Sequence, residues 1–250
     1  MLKSQREQEI LSVLKKSDGF VSVKSLCKQL FASESSIRRD LTAMENKGYV
    51  KRSYGGAHLV SELSKVTVFD FRFAQNAQAK TEIAKKAVTL INDNSVIFID
   101  QSSTSFFLAK ELPNKSSITV ITNSIEVLNI LSNTKIKVMS SGGILSPDNR
   151  SCLVGGDAER TFNNSQADFV FFSCNALSND GVISDCTREE VLVREAMLNN
   201  AKNKVFLCNG SKFGTNSIFK QCTLKDVDYL ISESDKAQTF ANKGFNLTVL

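Results

Sequence analysis

Two adjacent arginines, Arg38 and Arg39, follow a run of hydroxyl side chains, and a second basic pair, Lys51 and Arg52, stands thirteen residues later. A guanidinium group can pair bidentately with O6 and N7 of guanine, and a lysine ammonium suits a backbone phosphate. Hydroxyl groups contact bases or phosphates. The hydroxyl groups here belong to Ser33, Ser35 and Ser36. If one face of the fold presents these groups together, their shared chemistry is recognition of a nucleic acid.

A helix should carry the two arginines, because apolar residues recur around them at helical spacing. The pattern predicts a helix that begins at Ser33, whose hydroxyl can accept from an unpaired amide. At about 100° per residue, Ser35 and Arg39 lie roughly opposite the apolar stripe. That stripe consists of Ile37, Leu41 and Met44. The alternative is a solvated surface on which the two arginines only pair with Asp40 and Glu45.

Two shorter amphipathic segments precede this helix. The first predicts a helix that ends near Asp18-Gly19, and the second a helix capped by Ser22. Their apolar stripes are Ile10, Leu11 and Leu14 in the first, and Val23, Leu26, Cys27 and Leu30 in the second. Gly48 is a C-terminal stop for the third helix.

A short hairpin follows the third helix. Tyr49 to Arg52 and Ala57 to Val60 predict two strands, and Gly55-Gly56 predicts the turn between them. The hairpin places Lys51 and Arg52 where they can contact phosphates beside a groove. Three helices and a hairpin in sixty residues predict a winged helix-turn-helix, an architecture that binds DNA.

The positive charge of the chain is concentrated in this first part. Residues 1 to 60 contain eleven lysines and arginines against six aspartates and glutamates, whereas residues 61 to 250 contain twenty of each. Lysine and arginine displace condensed counterions from DNA, so the asymmetry favours DNA binding by residues 1 to 60. A balanced remainder has no such general attraction.

The remainder of the chain alternates strand and helix patterns. Residues 61–76 show no clear period and predict a linker, and Lys80 to Ile91 predicts a helix. Continuous apolar runs predict strands buried on both faces, and helices between them imply a mainly parallel, open α/β sheet. The predicted strands are 96–99, 118–121, 136–139, 169–172, 205–208 and 229–231, and the predicted helices are 104–112, 124–131 and 189–201. The domains are therefore 1–60 and 77–250.

Three of these strands end in small polar residues. Ligands of open α/β sheets bind outside the carboxyl ends of strands, where a helix N-terminus suits a phosphate. The residues at these ends are Asp100, Ser102, Ser103 and Thr104, then Thr122 and Asn123, then Ser140, Ser141, Gly142 and Gly143. The alternative is a plain serine-rich helix cap with Asp100 as its partner. Dinucleotide and nucleoside-triphosphate motifs are absent, so a smaller ligand is expected.

The motifs S-E-S-S-I-R-R-D-L at 33–41 and K-R-S-Y-G-G-A at 51–57 resemble the DeoR family of bacterial transcriptional regulators. The resemblance extends through I-D-Q-S-S-T, I-T-N-S, S-S-G-G and N-G-S-K-F-G, nearly the whole chain. It implies that Arg38 and Arg39 lie on the recognition helix and that Gly55 and Gly56 turn the wing. It also implies a sensor domain similar to ribose-phosphate isomerase folds that responds to phosphorylated sugars.

The resemblance extends the set of expected effector contacts. That set is Asp100, Ser102, Ser103, Thr104, Thr122, Asn123, Gly142, Gly143, Arg150 and Lys212. The expected DNA contacts are Ser33, Ser35, Ser36, Arg38, Arg39, Lys51, Arg52, Gly55 and Gly56. The family commonly has glycine where Ser102, Ser173 and Ala176 stand here, and aspartate where Asn209 stands. These departures narrow the expected pocket and remove an anionic partner of Lys212.

The expected function is that of a cytoplasmic, homo-oligomeric regulator that represses a carbohydrate-utilisation operon. Its expected partners are an operator DNA and a phosphorylated sugar, with no membrane, cofactor or metal. The six cysteines form no C-x-x-C pair, and His58 is the single histidine. Two alternatives stand: a sugar-phosphate isomerase using Asp100, Asp185 or Glu190 as base with Lys212, and an effector-independent DNA-binding protein.

Overall fold

The computed structural model describes residues 3–17, 20–46, 49–59, 72–73, 76–115, 117–241, 243 and 245–250. The chain divides into two compact units, Met1–Ala74 and Gln75–Leu250. The predicted helix end at Asp18-Gly19, the stop at Gly48 and the strand end at Val60 lie outside the described residues. So does the predicted linker 61–76, apart from positions 72, 73 and 76. No described helix has the length and apolar character needed to cross a membrane.

Between residues 3 and 59, the described part of the first unit contains three helices and a three-stranded antiparallel sheet. The helices are α1 (Lys3–Lys16), α2 (Val23–Leu30) and α3 (Glu34–Asn46); the strands are β1 (Phe20–Ser22), β2 (Val50–Ser53) and β3 (Gly56–Leu59), in the order β1-β3-β2. The apolar stripes of the three helices pack into one buried core with Val21, Tyr49, Val50 and Ala57. The two hairpin strands lie within one residue of their predicted bounds, and β1 was not predicted, because three residues give no readable period.

Polar contacts fix the helix starts in this unit. The Ser22 hydroxyl accepts from the Ser25 amide at 3.1 Å, and the Ser33 hydroxyl accepts from the Ser36 amide at 3.3 Å. Both bonds satisfy amides that the first turn of a helix leaves unpaired, so the two predicted caps are confirmed.

The second unit is built on a seven-stranded parallel sheet, which confirms the predicted α/β class. In chain order its elements are α4 (Ala77–Val88), β4 (Val96–Ile99), α5 (Ser103–Glu111), β5 (Thr119–Thr122), α6 (Ile125–Leu131), β6 (Lys137–Ser140), β7 (Ile144–Leu145), β8 (Leu153–Val154), α7 (Gly156–Asn163), β9 (Ala167–Phe172), β10 (Ala176–Leu177), β11 (Val182–Asp185), α8 (Arg188–Asn199), β12 (Ala201–Leu207), β13 (Phe219–Thr223), β14 (Tyr229–Ile231), α9 (Gln238–Ala241) and β15 (Thr248–Val249). The sheet order is β15-β14-β12-β9-β4-β5-β6.

Several elements differ from the sequence predictions. Ala201 begins β12 instead of ending a helix, because α8 stops at Asn199 and the chain turns at once into the strand. The helix α7, the hairpin β7-β8 and the small sheet β10-β11-β13 were not predicted. The strands β7, β8 and β10 have only two residues each, too few to show an alternating pattern, and α7 begins within a glycine pair that reads as a turn.

Candidate DNA-binding and effector sites

The helix α3 presents one buried face and one polar face. Ile37, Leu41 and Met44 are buried, whereas Ser35 and Arg39 are exposed, as the spacing predicts. At the start of α3 the Ser33 hydroxyl lies 3.1 Å from that of Ser35 and 3.0 Å from that of Ser36. Three hydroxyl groups therefore meet at the N-terminus of a helix, a combination that suits a phosphate.

The arginine pair is held by weak, exposed contacts. Arg38 forms a surface ion pair with Glu34 at 3.3 Å, one turn away on the same helix, and Arg39 donates through Nε to the Ser35 carbonyl at 3.3 Å. A surface ion pair contributes about 0–1 kcal/mol, so DNA can replace it at little cost.

The carboxylates that might have neutralised the pair have other partners. Asp40, buried to 2% exposure, pairs with Arg6 of α1 at 2.5 Å. The Glu45 carboxylate pairs with Arg52 of the hairpin at 3.8 Å. The alternative in which Arg38 and Arg39 pair with Asp40 and Glu45 is therefore wrong. Instead, the ion pair of Asp40 with Arg6 connects α3 to α1.

The two wing glycines have different structural roles. Gly55 has φ +79°, a left-handed conformation that glycine adopts without strain, and it turns the hairpin. Gly56 lies so close to β1 that an added Cβ would come within 2.6 Å of the Phe20 ring. The exposed tip between the strands is Tyr54, an aromatic residue that the sequence argument did not single out.

The two basic residues of the wing also differ. Lys51 is exposed on β2. Arg52 reaches back to α3: its amide donates to the Glu45 carboxylate at 2.8 Å, and its guanidinium donates to the Thr42 hydroxyl at 2.5 Å. Arg52 thus joins the wing to α3, and Lys51 is the wing cation that points to solvent.

In the second unit the polar strand ends meet at one edge of the sheet. Ile99, Thr122 and Ser140 are aligned in register across β4, β5 and β6. The Thr122 hydroxyl donates to the Ile99 carbonyl at 2.7 Å, and the Ser141 amide donates to the Thr122 carbonyl at 2.9 Å. The structure therefore brings together the three groups of residues that the sequence placed at strand ends.

The Asp100 carboxylate is hydrogen-bonded to neighbouring groups of the protein. It is fully buried, and one carboxylate oxygen accepts from the Ser102 amide at 3.1 Å. The other oxygen accepts from the Ser173 amide and from Arg194, both at 3.1 Å. Arg194 is itself 1% exposed and also pairs with Asp185 at 3.1 Å. Three of the roughly four acceptor positions of this carboxylate are therefore already occupied by the protein.

The residues after Asp100 form the first turn of α5. The Ser102 hydroxyl accepts from the Ser105 amide at 3.1 Å. This bond is a helix cap, as in the alternative of a serine-rich cap with Asp100 as its partner. Ser103 and Thr104 are buried, and the Thr104 hydroxyl oxygen has no hydrogen-bond partner among the described residues. Buried hydroxyl groups are normally paired, so Thr104 is an available partner for a bound molecule.

The remaining expected contacts divide into engaged and exposed groups. The Lys212 ammonium donates to the Ser173 hydroxyl at 2.6 Å, and burial lowers its pKa from the ordinary value. Gly142 and Gly143 are exposed with φ of +66° and +100°, and Arg150 is exposed on the loop before β8. Asn209 accepts from the Ser211 amide at 3.2 Å and does not take the place of an anion beside Lys212.

Sequence reasoning missed a buried polar network that surrounds this edge. Glu190 of α8 accepts from Gln101 at 2.7 Å and from Asn149 at 2.8 Å, and Gln101 accepts from Asn123 at 3.1 Å. Glu190 and Arg194 are four residues apart, so they share one face of α8. Glu190 and Arg194 fall on the same helical face as the apolar Val193 and Met197, and this was the available signal.

Two of the six cysteines have the character of small buried hydrophobic residues. Cys174 and Cys208 lie in the core of the second unit. Burial raises the pKa of Cys208 to about 12 and that of Cys174 well above its ordinary value, so both remain neutral thiols.

Comparisons with known proteins match both units. A family model described as the DeoR-like helix-turn-helix domain matches residues 6–63, and one described as the DeoR C terminal sensor domain matches residues 75–234. The HTH-type transcriptional regulator GolR of Listeria innocua is 32% identical over 235 residues, which cover 94% of this chain and 92% of that protein.

Two further relatives extend over the same length. The L-fucose operon activator of Haemophilus influenzae is 30% identical and the HTH-type transcriptional repressor GlcR of Bacillus subtilis is 29% identical; the matches cover 93% and 97% of this chain, and 94% and 93% of those proteins. Among solved structures, ribose 5-phosphate isomerase A of Methanocaldococcus jannaschii is 19% identical with a TM-score of 0.43, over 56% of this chain and 55% of that one. Two matching domain models and relatives aligned over more than nine-tenths of their length show that the chain belongs to the DeoR family of transcriptional regulators.

Proposed function

We propose that this protein represses a carbohydrate-utilisation operon by binding its operator, and that a phosphorylated sugar bound at the strand ends of the second unit changes its affinity for DNA. The observation that carries the proposal is the exposed face of α3, where Ser35 and Arg39 stand opposite a buried stripe beside the solvent-facing Lys51. The name of one relative, an L-fucose operon activator, supports a carbohydrate operon as the target. The name of another, a transcriptional repressor, supports repression.

The mechanism follows from ordinary linkage. A homo-oligomer places two recognition helices on repeated or palindromic half-sites. A ligand changes the affinity for DNA only if it binds the two arrangements of those helices unequally. Arg39 reads a base, the α3 N-terminus and Lys51 hold phosphates, and Lys212 with the polar strand ends holds the sugar phosphate.

Lys51→Ala is expected to weaken binding to all DNA sequences alike, because a phosphate contact carries no sequence information. The slope of the logarithm of affinity against the logarithm of salt concentration should fall by about 1. Fluorescence anisotropy on the upstream intergenic DNA and on a scrambled duplex, over a salt series, measures both effects. Lys225→Ala, an exposed lysine of the second unit, is the matched control and should change neither. A loss restricted to the intergenic sequence would remove the phosphate role of Lys51.

An effector-independent DNA-binding protein is the first competing function, and the orphan Thr104 hydroxyl argues against it. A thermal-shift screen with sugar phosphates separates the two. A true effector at a hundred times its Kd stabilises the fold by about 2.7 kcal/mol. No shift with any compound would favour the effector-independent protein.

The second competing function is a sugar-phosphate isomerase, and each of the three carboxylates considered as its base already has hydrogen-bond or ion-pair partners within the protein. Asp100 and Asp185 both pair with Arg194, and Glu190 accepts from two amides. Proton abstraction needs a base within reach of a carbon-bound proton. Incubation with ribose 5-phosphate tests this alternative: ketose phosphate accumulating beyond the amount of protein would restore it.

A further inference from the structure

A row of buried polar side chains runs from α8 to the end of β5. Glu190 accepts from the Gln101 amide nitrogen at 2.7 Å, and the Gln101 amide oxygen accepts from the Asn123 nitrogen at 3.1 Å. These three side chains are 4%, 1% and 0% exposed. Because they are removed from solvent, each donor and acceptor must find its partner within the protein or in a bound molecule.

The row fixes which end of each amide faces which neighbour. A carboxylate in this arrangement accepts, so the nitrogen of Gln101 must face Glu190 and its oxygen must face Asn123. Asn123 therefore turns its nitrogen towards Gln101. The same nitrogen donates to the Leu153 carbonyl at 3.1 Å, and a carbonyl can only accept. Two independent acceptors thus hold Asn123 in one orientation.

In this orientation one hydrogen-bonding atom of Asn123, its amide oxygen, is unpaired among the described residues. Both protons of its nitrogen are engaged, and its oxygen has no partner among the described residues. The unpaired oxygen can only accept a hydrogen bond. A phosphate oxygen is also an acceptor and is repelled there, whereas a sugar hydroxyl donates. The unpaired Thr104 hydroxyl imposes no such polarity, because it can donate or accept.

We propose that Asn123 is the residue through which the sensor requires a hydroxyl group on the sugar part of its effector, with Gln101 and Glu190 as positioning residues that fix its polarity. The inference rests on the proposed function. It places the phosphate of the effector away from Asn123, towards cationic or donor groups such as Lys212. It also assigns a selectivity: the sensor rejects analogues in which the hydroxyl group at this position is missing.

The test uses the full chain and calorimetric titration. The probes are ribose 5-phosphate, glucose 6-phosphate and fructose 6-phosphate, each with its single-position deoxy and deoxyfluoro analogues. At one position, loss of the hydroxyl should weaken binding at least about tenfold, because a buried acceptor is left unpaired. The deoxyfluoro analogue should bind no better than the deoxy analogue, since fluorine cannot donate. This comparison needs only the wild-type protein, so it does not depend on the folding of any variant.

Variants locate the effect. Asn123→Ala should bind the hydroxyl and deoxy analogues alike, and Gln101→Leu should narrow the difference although Asn123 is retained. Asn149→Ala removes a bond to the other oxygen of Glu190 and should keep the full difference. Selectivity is the readout, and a merely structural role would lower the affinity for both analogues equally.

The outcomes separate the two proposals. If no sugar phosphate binds, the proposed effector function fails, and this inference fails with it. If a sugar phosphate binds and the deoxy analogues bind equally well, only the inference is overturned. It is likewise overturned if fluorine restores binding or if Asn123→Ala keeps the full discrimination.

Discussion

Replacing Arg194 with methionine should destabilise the second unit by about 3–5 kcal/mol, the cost of removing one partner from a buried ion pair. Arg194 is 1% exposed and lies 3.1 Å from a carboxylate oxygen of both Asp100 and Asp185, which are themselves buried. The Arg194 guanidinium also donates to Gln221 at 2.9 Å. Methionine preserves most of the volume but leaves two carboxylates without their cation.

Urea denaturation followed by circular dichroism measures this loss. Lys202→Met is the matched control, because Lys202 pairs with Asp168 at 2.9 Å while its side chain is 72% exposed. An exposed pair contributes about 0–1 kcal/mol, so the control should be nearly neutral. If both variants lost equally little stability, the ion pairs of Arg194 with Asp100 and Asp185 would not stabilise this unit as proposed.

Arg39→Ala should lower the affinity for the operator about fivefold to more than a hundredfold, since a bidentate pair between arginine and guanine contributes about 1–3 kcal/mol of discrimination. Arg39 is exposed on the polar face of α3, and its observed contact is one bond from Nε to the Ser35 carbonyl at 3.3 Å. Binding to unrelated DNA should fall much less. The preference for one base pair should disappear.

A binding-site selection from randomised duplexes, compared between wild type and Arg39→Ala, measures this effect. Lys51→Ala is the contrasting variant, because it should weaken all sequences without changing the selected motif. If both variants lost affinity equally on every sequence, Arg39 would be a phosphate contact and the assigned roles would be wrong.

The sequence predicted most of the local structure of the first unit. The apolar period of α3 gives its exposed face, and Ser22 and Ser33 are located as caps by residue type and position alone. These are local properties, readable within one turn of helix. The role of Arg52 was not readable, because its contacts to Glu45 and Thr42 join two elements whose packing the sequence does not specify.

In the second unit the sequence predicted the strand ends but not what surrounds them. Arg194 lies 94 positions from Asp100 and Glu190 lies 89 positions from Gln101, so only the folded sheet brings them together. Ser173, where the family commonly has glycine, shows the same limit. Its hydroxyl accepts from Lys212 and donates to the Leu207 carbonyl, so the added side chain engages the cation expected to meet the effector.

The most direct test of the whole account is the affinity of the purified chain for its own upstream intergenic DNA, at one fixed salt concentration, with and without each member of a panel of sugar phosphates. We expect tight, sequence-specific binding that one phosphorylated sugar weakens. Tight binding that no compound alters would contradict the effector role of the second unit. Binding no tighter than to scrambled DNA would contradict the central claim that this protein is an operator-binding regulator.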